Sequence, residues 1–290
     1  METLEKNPEI VDLLETCNLN WSVRQEDVQT TSGLIIQDRM AIVRDDNDYV
    51  FPEIRSKGYH PFQNYELMDL LYKVSGMKGN LKIHNGGHFK GGARVYIQLK
   101  SNDMSLNGDK IEGYLTGINS FDGSTSLAFG PSNITISCQN KFFAAFRELD
   151  TKIRHTTNMG IKVDQICKDL EGVLQLEKEM FTNISRLADT RFDDLMKEKV
   201  TRALFKIKPE IDLNDIDSIP GKTRNNLSRF YVDLDGELKQ KGDNLWGLFS
   251  GVTKYTTHSL YKGKDSTENK MFDDFGKREK QIFNTLVSSI

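Results

Sequence analysis

Two histidines four residues apart, three cysteines and one dense acidic run are the residue types in this chain that could do chemistry. His84 and His88 bracket Asn85-Gly86-Gly87, Cys138 and Cys167 could supply thiolates, and Asp45, Asp46 and Asp48 crowd one short stretch. A structural zinc site needs closely spaced ligand pairs, and neither Cys138 nor Cys167 has a second cysteine nearby. The histidines therefore read as turn residues, and no metal is expected. Metal-assisted hydrolysis needs clustered carboxylates. The acidic run sits between Val43-Arg44 and Tyr49-Val50-Phe51, where it reads as the tip of a hairpin over 40–51. Nucleophilic catalysis has no familiar local context, neither a serine elbow nor a protease-type cysteine. Cys138, ending an apolar strand, and Cys167, on an apolar helix face, read as small core residues. Ile219-Pro220-Gly221-Lys222-Thr223 resembles the end of a phosphate-binding loop, but that pattern requires a glycine where Ile216 stands. It reads as a turn into a helix. No catalytic residue, metal ligand or cofactor is assigned, and the chain reads as non-enzymatic.

Charge is more informative than these motifs. Across 290 residues, 39 Lys+Arg face 42 Asp+Glu, a net charge of −3 that excludes a uniformly basic coat. Between 73 and 110, however, Lys73, Lys78, Lys82, Lys90, Arg94, Lys100 and Lys110 face only Asp103 and Asp109. Phe89 and Tyr96 interleave this stripe, and the run Asn85 to Gly92 reads as a loop whose four glycines let a phosphate approach the backbone. A second basic cluster, Lys152-Ile153-Arg154-His155, could extend the surface. The candidate nucleic-acid-binding residues are thus Lys82, His84, Phe89, Lys90, Arg94, Tyr96, Lys152, Arg154 and His155. The cations would neutralise phosphates and the rings would offer stacking faces. The other reading, a solvated hairpin whose glycines serve only turn geometry, stays open.

These residues must be positioned by the elements around them. Leu67, Leu70, Leu71 and Val74 have helical spacing, with Gly76 as a stop. From 81 to 138, runs such as Arg94–Lys100, Tyr114–Ile118 and Ile134–Ser137 predict a meander of four or so strands. Phe142, Phe143, Phe146 and Leu149 predict a helix capped by Asn140. Val163, Ile166, Cys167, Leu170, Val173 and Leu174, continued to Ala188, predict a longer one, and a further stripe runs from Phe192 to Leu204. Residues 209–221, acidic and bracketed by prolines, read as a connector. Short helical patterns follow around Leu227–Val232 and Leu245–Tyr255, and a closing segment carries Phe283, Leu286 and Val287.

The expected fold is α+β, a central antiparallel meander covered by helices with a smaller helical C-terminal region. The expected division is a core domain over 1–208, a linker over 209–221 and a helical region over 222–290 packed on the core. No run approaches the roughly 18 apolar residues of a spanning helix. The N-terminus METLEKNPEI is acidic where a secretory signal is basic and then apolar, and the cysteines fit a reducing compartment. A cytoplasmic location without membrane contact is expected.

Several stretches, in order, carry a family resemblance. They are Leu19-Asn20-Trp21-Ser22-Val23, Val43-Arg44-Asp45-Asp46, and Gly58 through Leu67. Next come Gly91 through Tyr96, Phe121-Asp122-Gly123-Ser124, Cys138-Gln139-Asn140 and Ile153-Arg154-His155-Thr156. Leu245 through Phe249, Val252-Thr253-Lys254-Tyr255 and His258 follow. Together they resemble the phage/plasmid-like protein family known as domain of unknown function 932, over nearly the whole chain. One departure is Ser250-Gly251, where the family tends to carry Asn-Ala. The resemblance implies a mobile-element origin and a setting among replication or recombination genes, and it transfers no catalytic residue. Separately, a strand meander followed by a helix is similar, at the level of fold alone, to the core of single-strand annealing proteins. The leading expectation is a binder of single-stranded DNA that promotes annealing, acting as a homo-oligomer. The 163–188 helix would serve as its interface unless it is buried on its own sheet. The alternative is an interaction factor that binds a host or phage replication protein, without nucleic acid.

Overall fold

The computed structural model describes residues 7–76, 83–107, 109–135, 140–142, 170–260, 268–271 and 274–290. Helix α1 (Pro8–Thr16) opens where the Asn7 side chain accepts a hydrogen bond from the Glu9 N–H and Pro8 occupies the first turn. Strands β1 (Val23–Gln29), β2 (Ile35–Arg44) and β3 (Arg55–Ser56) form a three-stranded sheet in that order. Helix α2 (Asn64–Gly76) follows, as its spacing predicts. A second sheet, β4 (Ile83–Phe89), β5 (Arg94–Leu106), β6 (Asp109–Ser120), β7 (Ala128–Thr135) and β8 (Asn140–Phe142), is ordered as the chain runs. This is the expected meander.

Helices α3 (Leu170–Asp189), α4 (Asp194–Phe205), α5 (Gly221–Lys241), α6 (Leu245–Lys254) and α7 (Asp274–Val287) build the C-terminal region. The fold is α+β, and no helix among the described residues is long and apolar enough to cross a membrane.

The chain divides into two compact units. One holds Met1–Ser101, Tyr114–Gly130 and Ala145–Leu174; the other holds Asn102–Gly113, Pro131–Ala144 and Gln175–Ile290. In the first, Leu19, Trp21, Ile42, Phe51, Leu67, Leu71, Val95, Ile97 and Phe121 form one apolar core. Buried polar groups stitch its loops to it. The Asn64 amide donates to the Leu19 and Trp21 carbonyls, each at 3.1 Å, the Asn119 amide to the Phe62 carbonyl at 2.7 Å, and the Tyr59 hydroxyl to the Ser120 carbonyl at 2.9 Å. Burial pushes the Tyr59 hydroxyl pKa up.

In the second unit Leu187, Leu204, Phe230, Leu234, Leu248, Phe249, Tyr255 and Ile282 pack together. Asn244 caps α6 by accepting from the Gly247 N–H at 2.8 Å. Every residue of α6 but Lys254 is buried, and the helix widens into a π-turn over Tyr255–Ser259. Gly251 allows this close packing: a Cβ there would lie 2.9 Å from the Leu234 Cα on α5. Two buried carboxylates are paired, Glu279 with Lys270 at 2.8 Å and Glu237 with Lys254 at 3.2 Å.

Several expectations are corrected. Asn140 begins a strand and caps no helix, because Asn140, Lys141 and Phe142 pair with Thr135, Ile134 and Asn133; residues 143–149 lie outside the described residues. The short pattern at 227–232 belongs to a single 21-residue helix, α5, which Gly221 opens. Residues 209–221 fall within the second unit and include a short 3-10 turn at Ile216–Ser218. The hairpin expected over 40–51 is present in short form, with Val43 bridging Val50, the Arg44 N–H donating to the Tyr49 carbonyl and the Phe51 N–H to the Ile42 carbonyl, each at 2.9 Å; the larger hairpin is β1–β2. Of the helix expected over 163–188, α3 is described from Leu170, and Cys138 and Cys167 lie outside the described residues.

Candidate nucleic-acid interface

The run Asn85 to Phe89, expected as a loop, is part of β4 and pairs antiparallel with β5. Phe89 faces Arg94, Gly87 faces Tyr96 and Gly86 faces Ile97, with an irregularity near His84. Its glycines answer to close neighbours. A Cβ on Gly86 would collide with the Cys17 thiol, and one on Gly87 would meet the Tyr96 ring at 3.6 Å. The turn Lys90-Gly91-Gly92 has φ of 50°, 66° and 108°, a left-handed run that needs glycine at its last two positions.

That turn is clamped from the end of β2. The Arg44 guanidinium lies 4.0 Å from the Trp21 ring centroid and donates to the Gly91 carbonyl at 2.8 Å. It also forks onto the two Asp46 oxygens at 2.9 and 2.5 Å. Arg44 holds the Asp46 carboxyl below its usual range, with a smaller contribution from His88. A Cβ on Gly92 would sit 2.9 Å from Trp21 Cη2, and one on Gly91 3.1 Å from the Tyr49 ring. The space that glycine opens toward these positions is filled by Trp21, Arg44 and Tyr49.

Burial removes two expected residues from the surface. The Arg94 side chain is 9% exposed; its Nε donates to Ser124 Oγ at 3.0 Å and lies 3.6 Å from Asp122 Oδ2. Phe89 is buried and stacks on Tyr96 with ring centroids 5.4 Å apart and planes at 20°. Both side chains serve the fold. Lys90 and His84 are exposed and Tyr96 is half-buried. The His84 ring lies 4.3 Å from that of Tyr114, over which Lys100 Nζ sits at 4.7 Å. Lys82, Lys152, Arg154 and His155 lie outside the described residues. In the rest of the stripe, Lys73 pairs with Asp69 at 2.6 Å, and Lys110 pairs with Asp103 and Glu112 at 2.9 and 3.2 Å. Lys110 belongs to the second unit, so the basic stripe is divided between the two.

The other chemistry-bearing residues have structural partners. Arg24 binds Asp45 and Asp48 at 3.1 and 2.8 Å, Ser22 donates to Asp45, and Arg44 takes Asp46. The acidic run is neutralised by its own arginines. Among the described residues no group of three His, Cys, Asp or Glu could hold a metal ion. Cys17 lines a cleft of about 440 Å³ with Leu13, Met68, Tyr72 and His84, and burial pushes its thiol pKa up to about 11. A thiol so held is a poor nucleophile near neutral pH.

A family model described as Domain of unknown function (DUF932) matches residues 53–279. The chain belongs to the DUF932 family. No curated protein and no solved structure matches it. The DUF932 match takes in β4, its turn and the Arg94–Asp122 pair, whereas Trp21, Arg44 and Tyr49, which clamp that turn, precede it. These three are what the choice of candidate residues missed. Trp21 and Arg44 lie in the stretches that carry the resemblance, and their pairing with a turn 71 and 47 residues away leaves no local pattern.

Proposed function

We propose that the protein binds single-stranded nucleic acid, DNA foremost, along β4 and its turn into β5, and promotes annealing in the replication or recombination of a phage or plasmid. One observation carries the reading. The Tyr96 ring, stacked on Phe89 and seated over Gly87, stays half-buried, and the exposed Lys90 stands at the adjoining turn. A partly exposed ring near a cation suits a base and its phosphate, since stacking tolerates any base and the cation tracks the backbone. His84, exposed on the same strand, would extend the track. Among the described residues strand β4 ends the order of its sheet, and such an edge presents backbone N–H groups that a phosphate can accept from. The reading assigns no catalytic step and uses no cofactor, and it places the protein in the host cytoplasm.

Fluorescence anisotropy with a labelled single-stranded oligonucleotide at several salt concentrations tests it. Affinity should fall steeply with salt. Lys90→Ala should weaken binding of every sequence and flatten the log–log salt slope by about 0.7, the share of one single-strand phosphate. Absence of binding at low salt overturns the proposal. Binding that ignores salt favours the interaction-factor alternative, whose contacts would be apolar.

A further inference from the structure

Arg55, on β3, carries a guanidinium that the fold leaves uncommitted. Among the described residues it donates no hydrogen bond and forms no ion pair, and its Nε is buried without an acceptor. Native proteins rarely keep a buried donor in that state, and a guanidinium has five N–H groups to satisfy. By contrast, Arg24 takes Asp45 and Asp48, Arg44 takes Asp46, and Arg94 lies against Asp122.

The guanidinium is nevertheless seated. A Cβ on Gly123 would lie 2.5 Å from Arg55 Cζ and 2.7 Å from Nη2, so Arg55 occupies the room that glycine leaves, in a turn where Gly123 has φ 65°. The centroid of the Tyr59 ring lies 5.7 Å from Arg55 Cζ. The turn is itself fixed at both ends. The Phe121 N–H donates to the Ala93 carbonyl at 2.8 Å, and Ser120 Oγ donates to the Thr125 carbonyl at 2.8 Å while accepting from the Thr125 N–H at 3.0 Å.

Ser124, next along this turn, supplies a second donor. Arg94 Nε can only donate, so Ser124 Oγ accepts from it at 3.0 Å and keeps its own O–H to give elsewhere. Ser124 is exposed. The carboxylate of the turn is already engaged, since Asp122 accepts the Ser124 N–H at 2.8 Å and lies 3.6 Å from Arg94 Nε. Arg55, Arg94 and Asp122 thus leave the turn with an excess positive charge.

We propose that Arg55 and Ser124 form a phosphate-binding site, the guanidinium forking onto the phosphate oxygens and the Ser124 hydroxyl donating to the same group. Phosphate suits this donor set better than a planar carboxylate, because its tetrahedral oxygens accept from a fork and from a separately held hydroxyl at once. The Arg94 side chain acts here through Ser124, whose hydroxyl it turns into a donor. Lys90 opens the turn that leads to Ala93, whose carbonyl holds Phe121, so the site adjoins the proposed nucleic-acid track. Its phosphate is either that of a strand or a free one, and the site does not depend on the single-strand reading.

Isothermal titration calorimetry of the full chain at low salt tests it, with inorganic phosphate and an oligothymidine lacking a terminal phosphate as separate probes. Wild type is compared with Arg55→Gln, Arg55→Lys and Ser124→Ala, each checked for folding by circular dichroism. Ser124 is exposed, so its variant keeps the test decisive should Arg55→Gln unfold. Arg55→Gln should weaken the bound probe about tenfold or more, the loss of a charge-assisted contact, and Ser124→Ala about threefold to tenfold. Arg55→Lys keeps the charge without the fork and should fall between wild type and Arg55→Gln. Losses confined to inorganic phosphate assign the site to a free phosphate, and losses on the oligothymidine assign it to a strand. A wild type that binds inorganic phosphate through Arg55 but no oligothymidine supports the site and ends the single-strand reading. If the folded variants retain in full the binding of every probe that wild type binds, the site is overturned while the single-strand reading keeps Lys90. A wild type that binds neither probe overturns both.

Discussion

Arg94 Nε lies 3.6 Å from Asp122 Oδ2 with both side chains buried, and Ser124 completes the contact by accepting from Arg94 and donating its N–H to Asp122 Oδ1 at 2.8 Å. Removing one partner of such a pair strands the other charge in the interior, which costs about 3–5 kcal/mol. Arg94→Ala should therefore lower the unfolding free energy read from urea titration by that amount, while Lys90→Ala, four residues earlier and exposed, should leave it nearly unchanged. Equal stability of the two variants would mean that Arg94 is not committed to Asp122. Loss of oligonucleotide binding in Arg94→Ala would report unfolding, so Lys90 is the position that tests the interface.

The sequence made α2 legible because a helix buries one face, and Leu67, Leu70 and Leu71 repeat at its period. It made the meander legible through β-branched and aromatic runs, as in Val95, Tyr96 and Ile97. Strand β1, Val-Arg-Gln-Glu-Asp-Val-Gln, has no such run. Its pairing with β2 is backbone work, supported where the Gln63 side chain accepts from the Val23 N–H and donates to the Val23 carbonyl. Gly86 and Gly87 looked like a loop because glycine composition marks loops, yet they lie in a strand where Cys17 and Tyr96 require the room. Arg94 looked available because its partner stands 28 positions along the chain, a distance no spacing rule spans. The candidate interface was legible as a segment and illegible as a surface.

Gly251 fixes how closely α5 and α6 approach. The resemblance leads one to expect alanine there, and its Cβ would fall 2.9 Å from Leu234 Cα, inside ordinary contact. Gly251→Ala should thus destabilise the second unit by about 1–3 kcal/mol through overpacking, even though alanine favours helix. Pairing it with Leu234→Ala would not restore stability, since the backbone Cα is part of the clash. A thermal melt reads the effect, and a rise in Tm for Gly251→Ala would show that the helices move apart freely.

Cys17 should resist alkylation in the native state. Its thiol is pushed up to about 11 by burial, so the thiolate that reacts is scarce at pH 8. Peptide mapping after iodoacetamide treatment should find Cys17 modified only once denaturant is added. The linkage has the opposite sign from a carboxylate: with the folded pKa above the unfolded one, the stabilisation is complete below about pH 8.5 and declines as pH rises toward 11. Cys17→Ala should flatten that alkaline decline, and rapid native labelling at pH 8 would contradict the burial.

Asp274 should make the second unit sensitive to acid. It accepts from Lys206 Nζ at 2.6 Å and from Arg278 at 2.7 and 3.1 Å, and these bonds, Lys206 first, hold its pKa at about 2. Arg278 also donates to the Leu204 carbonyl at 2.7 Å, so the pair ties α7 to the end of α4. With the folded pKa below an unfolded value of about 3.9, the stabilisation is present above pH 4 and lost as pH falls toward 2. Because the Asp274 side chain is 47% exposed, solvent screening keeps the contribution at about 1 kcal/mol or less. Asp274→Asn should lower the urea midpoint slightly at pH 7, and the gap to wild type should shrink between pH 4 and pH 2. A gap that persists unchanged at pH 2 would place the effect of Asp274 in the α7 N-terminus and not in its cationic partners.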